Sequence, residues 1–191
     1  MIQRSDSPQS SRRPLPLKEY DYSQAGAYFI TVCVKHRKIL FGDIVEDGIR
    51  LNPFGVVVKK CWEDLPRHYH FLELDAFIVM PNHIHGILMI TGNSNVGAGL
   101  KPAPTSKCHA LPEIVRALKT FSARRINEIR STLGTPIWQR NYYEHVIRNE
   151  IDLEEIREYI QNNPLKWPED EYHPAKVEKA MRSVRRPAGR P

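Results

Sequence analysis

Residues 77 to 90, FIVMPNHIHGILMI, constrain the fold most strongly, because two apolar runs flank a Pro-Asn pair. The pattern predicts two buried neighbouring strands joined by a tight turn. His83 and His85 open the second run, with Ile84 between them. Since alternate side chains of a strand share a face, the two imidazoles would project together, roughly 6–7 Å apart. They could hold one divalent metal ion. Because the motif is short, it leaves open the alternative that both histidines have only a structural role.

The other elements follow from hydrophobic periodicity and from turn and capping residues. Strands are predicted at residues 28–34, 71–80, 83–91 and 138–147, with a short hairpin about residues 47–48. Helices are predicted from Asn52-Pro53 to Pro66, over 112–130 and, capped by Asn149, over 150–162. This β-α-β-β-α-β order is that of the ferredoxin-like split βαβ arrangement. We therefore predict an α+β fold with a four-stranded antiparallel sheet, two crossover helices on one face and an additional C-terminal helix.

The length of 191 residues and a hydrophobic content of 41% are consistent with one globular domain. We expect a flexible arm over residues 1–19, a single catalytic domain over 20–170 with an inserted loop at 92–110, and a basic tail over 171–191. Residues 176 to 191 contain six basic residues and one acidic residue, so they supply +5 of the net charge of +6. The tail is either a solvated segment or one that follows the phosphates of a polyanionic partner.

Three cysteines without a C-x-x-C pair argue against a zinc ribbon and a disulfide scaffold, and fit a reducing compartment. The N-terminal residues contain no hydrophobic segment typical of a secretory signal. No apolar run approaches the roughly 20 residues that a membrane span requires. We therefore expect a cytoplasmic protein without a membrane partner.

The last predicted helix carries a polar stripe beside its apolar stripe. The polar residues, at spacings of 3, 4 and 4, are Asp152, Glu155, Tyr159 and Asn163. A tyrosine hydroxyl can act as a nucleophile, and an amide oxygen can complete a metal site that two histidines begin. The alternative is a half-buried core tyrosine and an asparagine that caps the helix before Pro164.

Three stretches of this sequence resemble the single-tyrosine HUH-endonuclease transposases of insertion sequences, and most closely the REP-associated tyrosine transposases. They are PNHIHG at 81–86, WQRNYYEHVIR at 138–148 and YIQNNP at 159–164. Residues 21–31 also resemble the first strand of that family. Together these stretches span about residues 20 to 167, and they occur in the same order as in the family.

The resemblance implies a ferredoxin-like fold and a role for each residue of the site. His83 and His85 match the two metal-binding histidines of the family, Tyr159 matches its nucleophile, and Asn163 matches the third protein ligand. Tyr142 and Tyr143 are weaker candidates for the nucleophile, because they lie in a predicted strand with one side chain on each face. Two imidazoles alone would favour zinc, whereas the resemblance implies Mg²⁺ or Mn²⁺.

The activity implied is that of a transposase: a metal-dependent single-stranded DNA endonuclease and strand transferase that forms a 5′-phosphotyrosine link. The implied substrate is hairpin DNA formed by palindromic repeats, and the implied assembly is a monomer or a homodimer. The candidate DNA-binding residues, with stacking from Trp138 or Tyr142, are Arg116, Lys119, Arg140 and Arg148. Each of these cations could instead belong to a solvated face.

Two other functions remain open from the sequence. The first is a non-catalytic nucleic-acid-binding module, because the RNA-recognition motif uses a similar sheet. Its aromatic signature is absent from this sequence. The second is an inactive regulatory relative of the transposases, against which the intact set of His83, His85, Tyr159 and Asn163 argues.

Overall fold

The computed structural model of this chain describes residues 25–46, 48–91 and 111–176. The expected N-terminal arm, the 92–110 loop and the tail beyond residue 176 lie outside these ranges. In chain order the elements are β1 (Gly26–Cys33), β2 (Gly42–Val45), β3 (Gly48–Leu51), α1 (Pro53–Glu63), α2 (Leu65–His68), β4 (Leu72–Val79), β5 (His83–Ile90), α3 (Leu111–Ile129), β6 (Tyr143–Ile147) and α4 (Glu150–Asn162).

Strand β1 occupies the interior of a four-stranded antiparallel sheet, whose order is β4-β5-β1-β6. Strands β2 and β3 form a separate hairpin. The aromatic and β-branched residues of β1 suit this interior position, where both faces of the strand are covered. The predicted α+β fold with a four-stranded antiparallel sheet is therefore confirmed.

The two faces of the sheet have separate apolar cores. On one face, alternate β1 residues such as Tyr28 and Ile30 pack with α1 and α3, which contribute Trp62 and Leu118 among others. On the other face, Phe29 packs in a smaller cluster with β5 and α4. The period-2 alternation of β1 thus leaves one face of the sheet for α1, α2 and α3 and the other for α4 alone among the described helices.

The strand predicted over residues 138–147 is too long, because β6 begins only at Tyr143. Trp138 makes a single isolated bridge to Val34. Its indole N–H donates to the Ser122 hydroxyl at 2.9 Å, which ties this segment to α3. Side-chain contacts with α3, together with a backbone hydrogen bond from Gln139 to Cys33 at the end of β1, therefore position the start of this segment.

The first helix does not continue to Pro66 as predicted. Helix α1 ends at Glu63, and Pro66 lies in the first turn of the short helix α2. A proline at that position costs little, because the first turn of a helix has no partners for its N–H groups. The predicted start is confirmed, since the Asn52 side chain accepts hydrogen bonds from the N–H groups of Phe54 and Gly55.

None of the helices in the described ranges is both long and apolar enough to cross a bilayer.

Candidate active site

His83 and His85 lie on the face of the sheet that α4 covers, and both side chains are buried. Their Nε2 atoms are 2.9 Å apart. The register places His85 opposite Thr31 of β1, and Thr31 opposite Tyr143 of β6. These three residues therefore form a row across the sheet.

The hydrogen bonds of Asn82 determine the tautomer of His83. The Asn82 amide nitrogen donates to the carbonyl oxygens of Arg37, at 3.0 Å, and Tyr172, at 2.8 Å. Its oxygen must therefore face Nδ1 of His83, 2.8 Å away. Because that oxygen can only accept, Nδ1 of His83 carries the proton, and Nε2 presents its lone pair to His85.

Thr31 is a partner that His85 can use in either tautomer. Its hydroxyl oxygen lies 2.8 Å from Nδ1 of His85, and a hydroxyl can donate or accept. Burial lowers the pKa of His85 to about 3. Burial also lowers the pKa of His83 well below its ordinary value, with a further contribution from His85. Both rings are therefore neutral near pH 7, which is the form that binds metals.

Helix α4 brings Tyr159 to these histidines. The helix begins at Asn149, whose side chain accepts from the N–H of Asp152 at 2.9 Å, as predicted. The Tyr159 hydroxyl oxygen lies 3.4 Å from Nε2 of His85. Its ring contacts Phe29 edge-on, with centroids 6.0 Å apart. Although the phenol reaches the buried histidines, 41% of the Tyr159 residue remains exposed.

The pKa of the Tyr159 phenol is raised above its ordinary value, chiefly by burial. The neighbouring carboxylates of Asp170 and Glu171 raise it further, whereas a hydrogen bond with the Asn163 side chain lowers it. The phenol is therefore protonated near pH 7 in this structure.

Asn163 follows the last turn of α4 and is only 3% exposed. Its side-chain oxygen is buried and has no hydrogen-bond partner. A buried acceptor without a hydrogen-bond partner lowers the stability of the fold by on the order of 1–3 kcal/mol. A cation bound beside this oxygen would remove that cost.

Asp170 joins the two histidines in the group that could share one metal ion, within the ranges that the structure describes. One ligand atom from each of His83, His85 and Asp170 lies within 4.8 Å of the other two. Burial raises the pKa of the Asp170 carboxyl, while hydrogen bonds from the Tyr172 N–H and from Asn163 lower it. Sequence reasoning missed this residue: the acidic run at 169–171 is the one signal for it, and such runs are usually solvated.

The donor set fits a divalent ion. The Nε2 atoms of the two imidazoles lie 2.9 Å apart, close enough for one ion to contact both. The carboxylate of Asp170 adds a hard oxygen ligand to the two imidazoles, a mixed set that divalent cations accept.

Tyr172 covers the histidines from the side of the C-terminal segment. Its ring centroid lies 4.7 Å from that of His83. The Arg37 guanidinium lies over the Tyr172 ring, 4.8 Å from its centroid. Residues 170–172 therefore contact the site, although the basic tail was expected to begin at residue 171.

Tyr142 and Tyr143 point to opposite faces of the sheet. Tyr142 packs against the core shared with α3, while Tyr143 lies on the histidine face, with its ring centroid 6.1 Å from that of Phe29. Neither residue is on a helix.

Three of the four predicted DNA-binding cations line one open groove of about 440 Å³ between α3 and residues 136–142. They are Arg116, Lys119 and Arg140, and Trp138 and Tyr142 line the same groove. Arg148 lies elsewhere, at the start of α4, where its backbone N–H faces the Asp152 carboxylate at 3.4 Å.

Comparison with known proteins identifies sequences similar to this chain. Residues 104–163 match a family model described as IS200-like transposase. An uncharacterized protein of Haemophilus influenzae is 40% identical over 172 residues, which cover 85% of this chain and 93% of that protein. A REP-associated tyrosine transposase of Escherichia coli K12 is 24% identical over 162 residues, or 80% of this chain and 79% of that protein.

Among solved structures, a REP-associated tyrosine transposase bound to a REP hairpin is similar, with a TM-score of 0.50. The match covers 82% of this chain and 73% of that chain at 22% identity. At this identity the match shows that the two proteins share a fold.

Proposed function

The chain belongs to the IS200-like transposase family, and we propose that it is a metal-dependent single-stranded DNA endonuclease and strand transferase. The observation that carries the proposal is the position of the Tyr159 hydroxyl, 3.4 Å from Nε2 of His85. A nucleophile thus lies beside a buried group of metal-binding side chains.

His83, His85, Asn163 and Asp170 would hold one Mg²⁺ or Mn²⁺ ion. When bound, the ion supplies a Lewis acid and a template for a phosphate oxygen. Burial keeps the two imidazoles neutral, and the Nδ1 contacts to Asn82 and Thr31 orient them.

Tyr159 would attack the phosphorus atom of a DNA phosphodiester. The phenolic oxygen forms a new bond to phosphorus, the bond to the 3′ oxygen breaks, and that oxygen leaves as a free 3′ hydroxyl. The product is a 5′-phosphotyrosine link, which a 3′ hydroxyl can attack in reverse to rejoin or transfer the strand. The phenol must lose its proton during the attack, because its raised pKa keeps it protonated beforehand. The leaving 3′ oxygen takes up one proton, so the step releases none overall.

We propose further that the groove beside α3 binds the DNA backbone. Arg116, Lys119 and Arg140 supply the charge, and Trp138 supplies an aromatic wall. The edge strand β6 lies between this groove and the histidine face, since it pairs only with β1 in the described sheet.

A single strand could therefore run from the groove past Tyr142 and over the edge of β6 to Tyr159. Arg148, at the far end of β6, is proposed as a further contact to the backbone of that strand. The structural similarity to a protein bound to a REP hairpin supports hairpin DNA as the substrate class.

The test is to incubate the protein with end-labelled hairpin DNA and Mn²⁺ and to look for a protein–DNA adduct that survives SDS. Tyr159→Phe should abolish the adduct. Tyr143→Phe is the matched control, because it removes a hydroxyl from the same face of the sheet and should retain the adduct. An adduct formed equally by Tyr159→Phe would disprove the nucleophile. Binding without an adduct under any divalent ion would instead support a non-catalytic DNA-binding protein.

A further inference from the structure

A bulge in the edge strand β4 places Asp75 beside α4. The pairing of β4 with β5 is regular up to Leu74 and resumes at Phe77, with a register shift between them. Leu74 and Phe77 both pack in the core on the α1 side, although residues three apart in a regular strand point to opposite faces. One extra residue is therefore accommodated here, as in a β-bulge, and bulges can redirect a side chain near a functional site.

Asp75 forms a two-point contact with Arg157 of α4. The Nε and Nη2 groups of Arg157 donate to the two carboxylate oxygens of Asp75, at 2.9 and 2.6 Å. The Asp75 side chain is only 16% exposed. The hydrogen bond from Arg157 lowers the pKa of Asp75, and the same contact raises the pKa of Arg157. Such a planar, bidentate pair fixes orientation as well as distance.

The apolar contact of α4 with the sheet is a smaller cluster than the core on the other face. Its buried residues are Leu153 and Ile160, which pack with Phe29 and Ile87. Apolar contacts of this kind are non-directional and allow a helix to slide or rotate by small amounts. The remaining nitrogen of Arg157 contacts Glu154 within the same helix, which does not attach α4 to the sheet.

We propose that the Asp75–Arg157 pair is a positioning latch for Tyr159. Arg157 precedes Tyr159 by two residues, so the two side chains leave α4 in different directions, towards β4 and towards His85. Fixing the first direction fixes the second. A shift of α4 by one residue corresponds to about 1.5 Å, whereas reacting atoms must meet at roughly 3–3.5 Å. The inference rests on the proposed role of Tyr159 as nucleophile.

The test compares Asp75→Asn with Glu154→Gln. The first variant removes the charge that joins β4 to α4, and the second removes an exposed partner of the same Arg157 within α4. At saturating hairpin DNA and Mn²⁺, Asp75→Asn should slow adduct formation at least tenfold while DNA affinity stays within twofold. Glu154→Gln should stay within twofold in both. The double variant Asp75→Asn/Arg157→Gln should form the adduct at most twofold more slowly than Asp75→Asn, because both substitutions break the same contact.

Hydrogen exchange gives a second measurement that does not depend on activity. In Asp75→Asn, exchange should accelerate in peptides from α4 and remain unchanged in those from α3. Unchanged exchange in α4 overturns the latch, as does an adduct rate equal to that of the wild type. Equal acceleration in both helices also overturns it, because that result indicates general destabilisation. If the wild-type protein forms no adduct, the proposed function fails, and the exchange result still decides whether Asp75 holds α4.

Discussion

The Tyr159 hydroxyl oxygen lies 3.4 Å from Nε2 of His85, although the two residues are 74 positions apart in the chain. The contact joins the helix that follows β6 to the strand that follows the Pro-Asn turn. Without DNA, the proposed nucleophile and a proposed metal ligand are therefore already adjacent. The requirements that remain are an ion, a phosphate and the removal of the phenolic proton.

Thr31 should affect metal binding without contacting the ion. Thr31→Val removes the hydroxyl that fixes Nδ1 of His85 while keeping a similar shape. We expect Mn²⁺ affinity, measured by isothermal titration calorimetry, to fall by roughly 10–100-fold, the range typical of lost outer contacts to metal ligands. Thr31→Ser keeps the hydroxyl and should bind within a few-fold of the wild type. Equal affinity in Thr31→Val would contradict the role.

Asp170 should contribute directly to ion affinity. Asp170→Asn replaces a charged oxygen ligand by a neutral one and should weaken Mn²⁺ binding by an order of magnitude or more, because hard cations favour carboxylates. Glu169→Gln is the control, since it changes the same charge at an exposed neighbouring position. Electron paramagnetic resonance of free Mn²⁺ measures both variants. Equal losses in the two would indicate a general charge effect instead of a ligand.

The sequence was sufficient for the parts of this site that lie on regular elements. Alternation along β5 placed His83 and His85 on one face, and the same rule placed Tyr142 and Tyr143 on opposite faces. The capping residue Asn149 fixed the start of α4.

Irregular backbone concealed the rest. Asp170 follows a 3₁₀ turn at Trp167–Glu169, where no periodicity predicts which way a side chain points. The segment LELDAFIV shows no sign of a bulge, so the contact of Asp75 with α4 depends on a register shift that only the paired structure reveals. The sequence pattern likewise predicts Trp138 to be part of a strand, whereas the structure shows its side chain hydrogen-bonded to Ser122 of α3.

The Asp75–Arg157 pair should make stability depend on pH in the acidic range. Because the hydrogen bond from Arg157 lowers the pKa of Asp75 in the folded state below that of an ordinary aspartate, the stabilisation is fully present above the ordinary pKa. It is lost as the pH falls through the folded-state pKa. The difference in urea unfolding free energy between wild type and Asp75→Asn should therefore be constant from about pH 5 to 7 and shrink below about pH 4. A difference that stays constant down to pH 2.5 would contradict the lowered pKa.

The cations of the groove beside α3 should govern the salt dependence of DNA binding. Arg116 and Arg140 are exposed and line the groove, so each change to Gln should remove one phosphate contact. For single-stranded DNA, the slope of log affinity against log salt should become shallower by about 0.7 per lost contact. Arg124→Gln is the matched control on the same helix, because Arg124, like Arg116, is exposed and pairs with a glutamate of α3 but does not line the groove. Fluorescence anisotropy with labelled hairpin DNA at several salt concentrations measures the slopes. Equal slopes for Arg140→Gln and Arg124→Gln would show that the DNA backbone follows another surface.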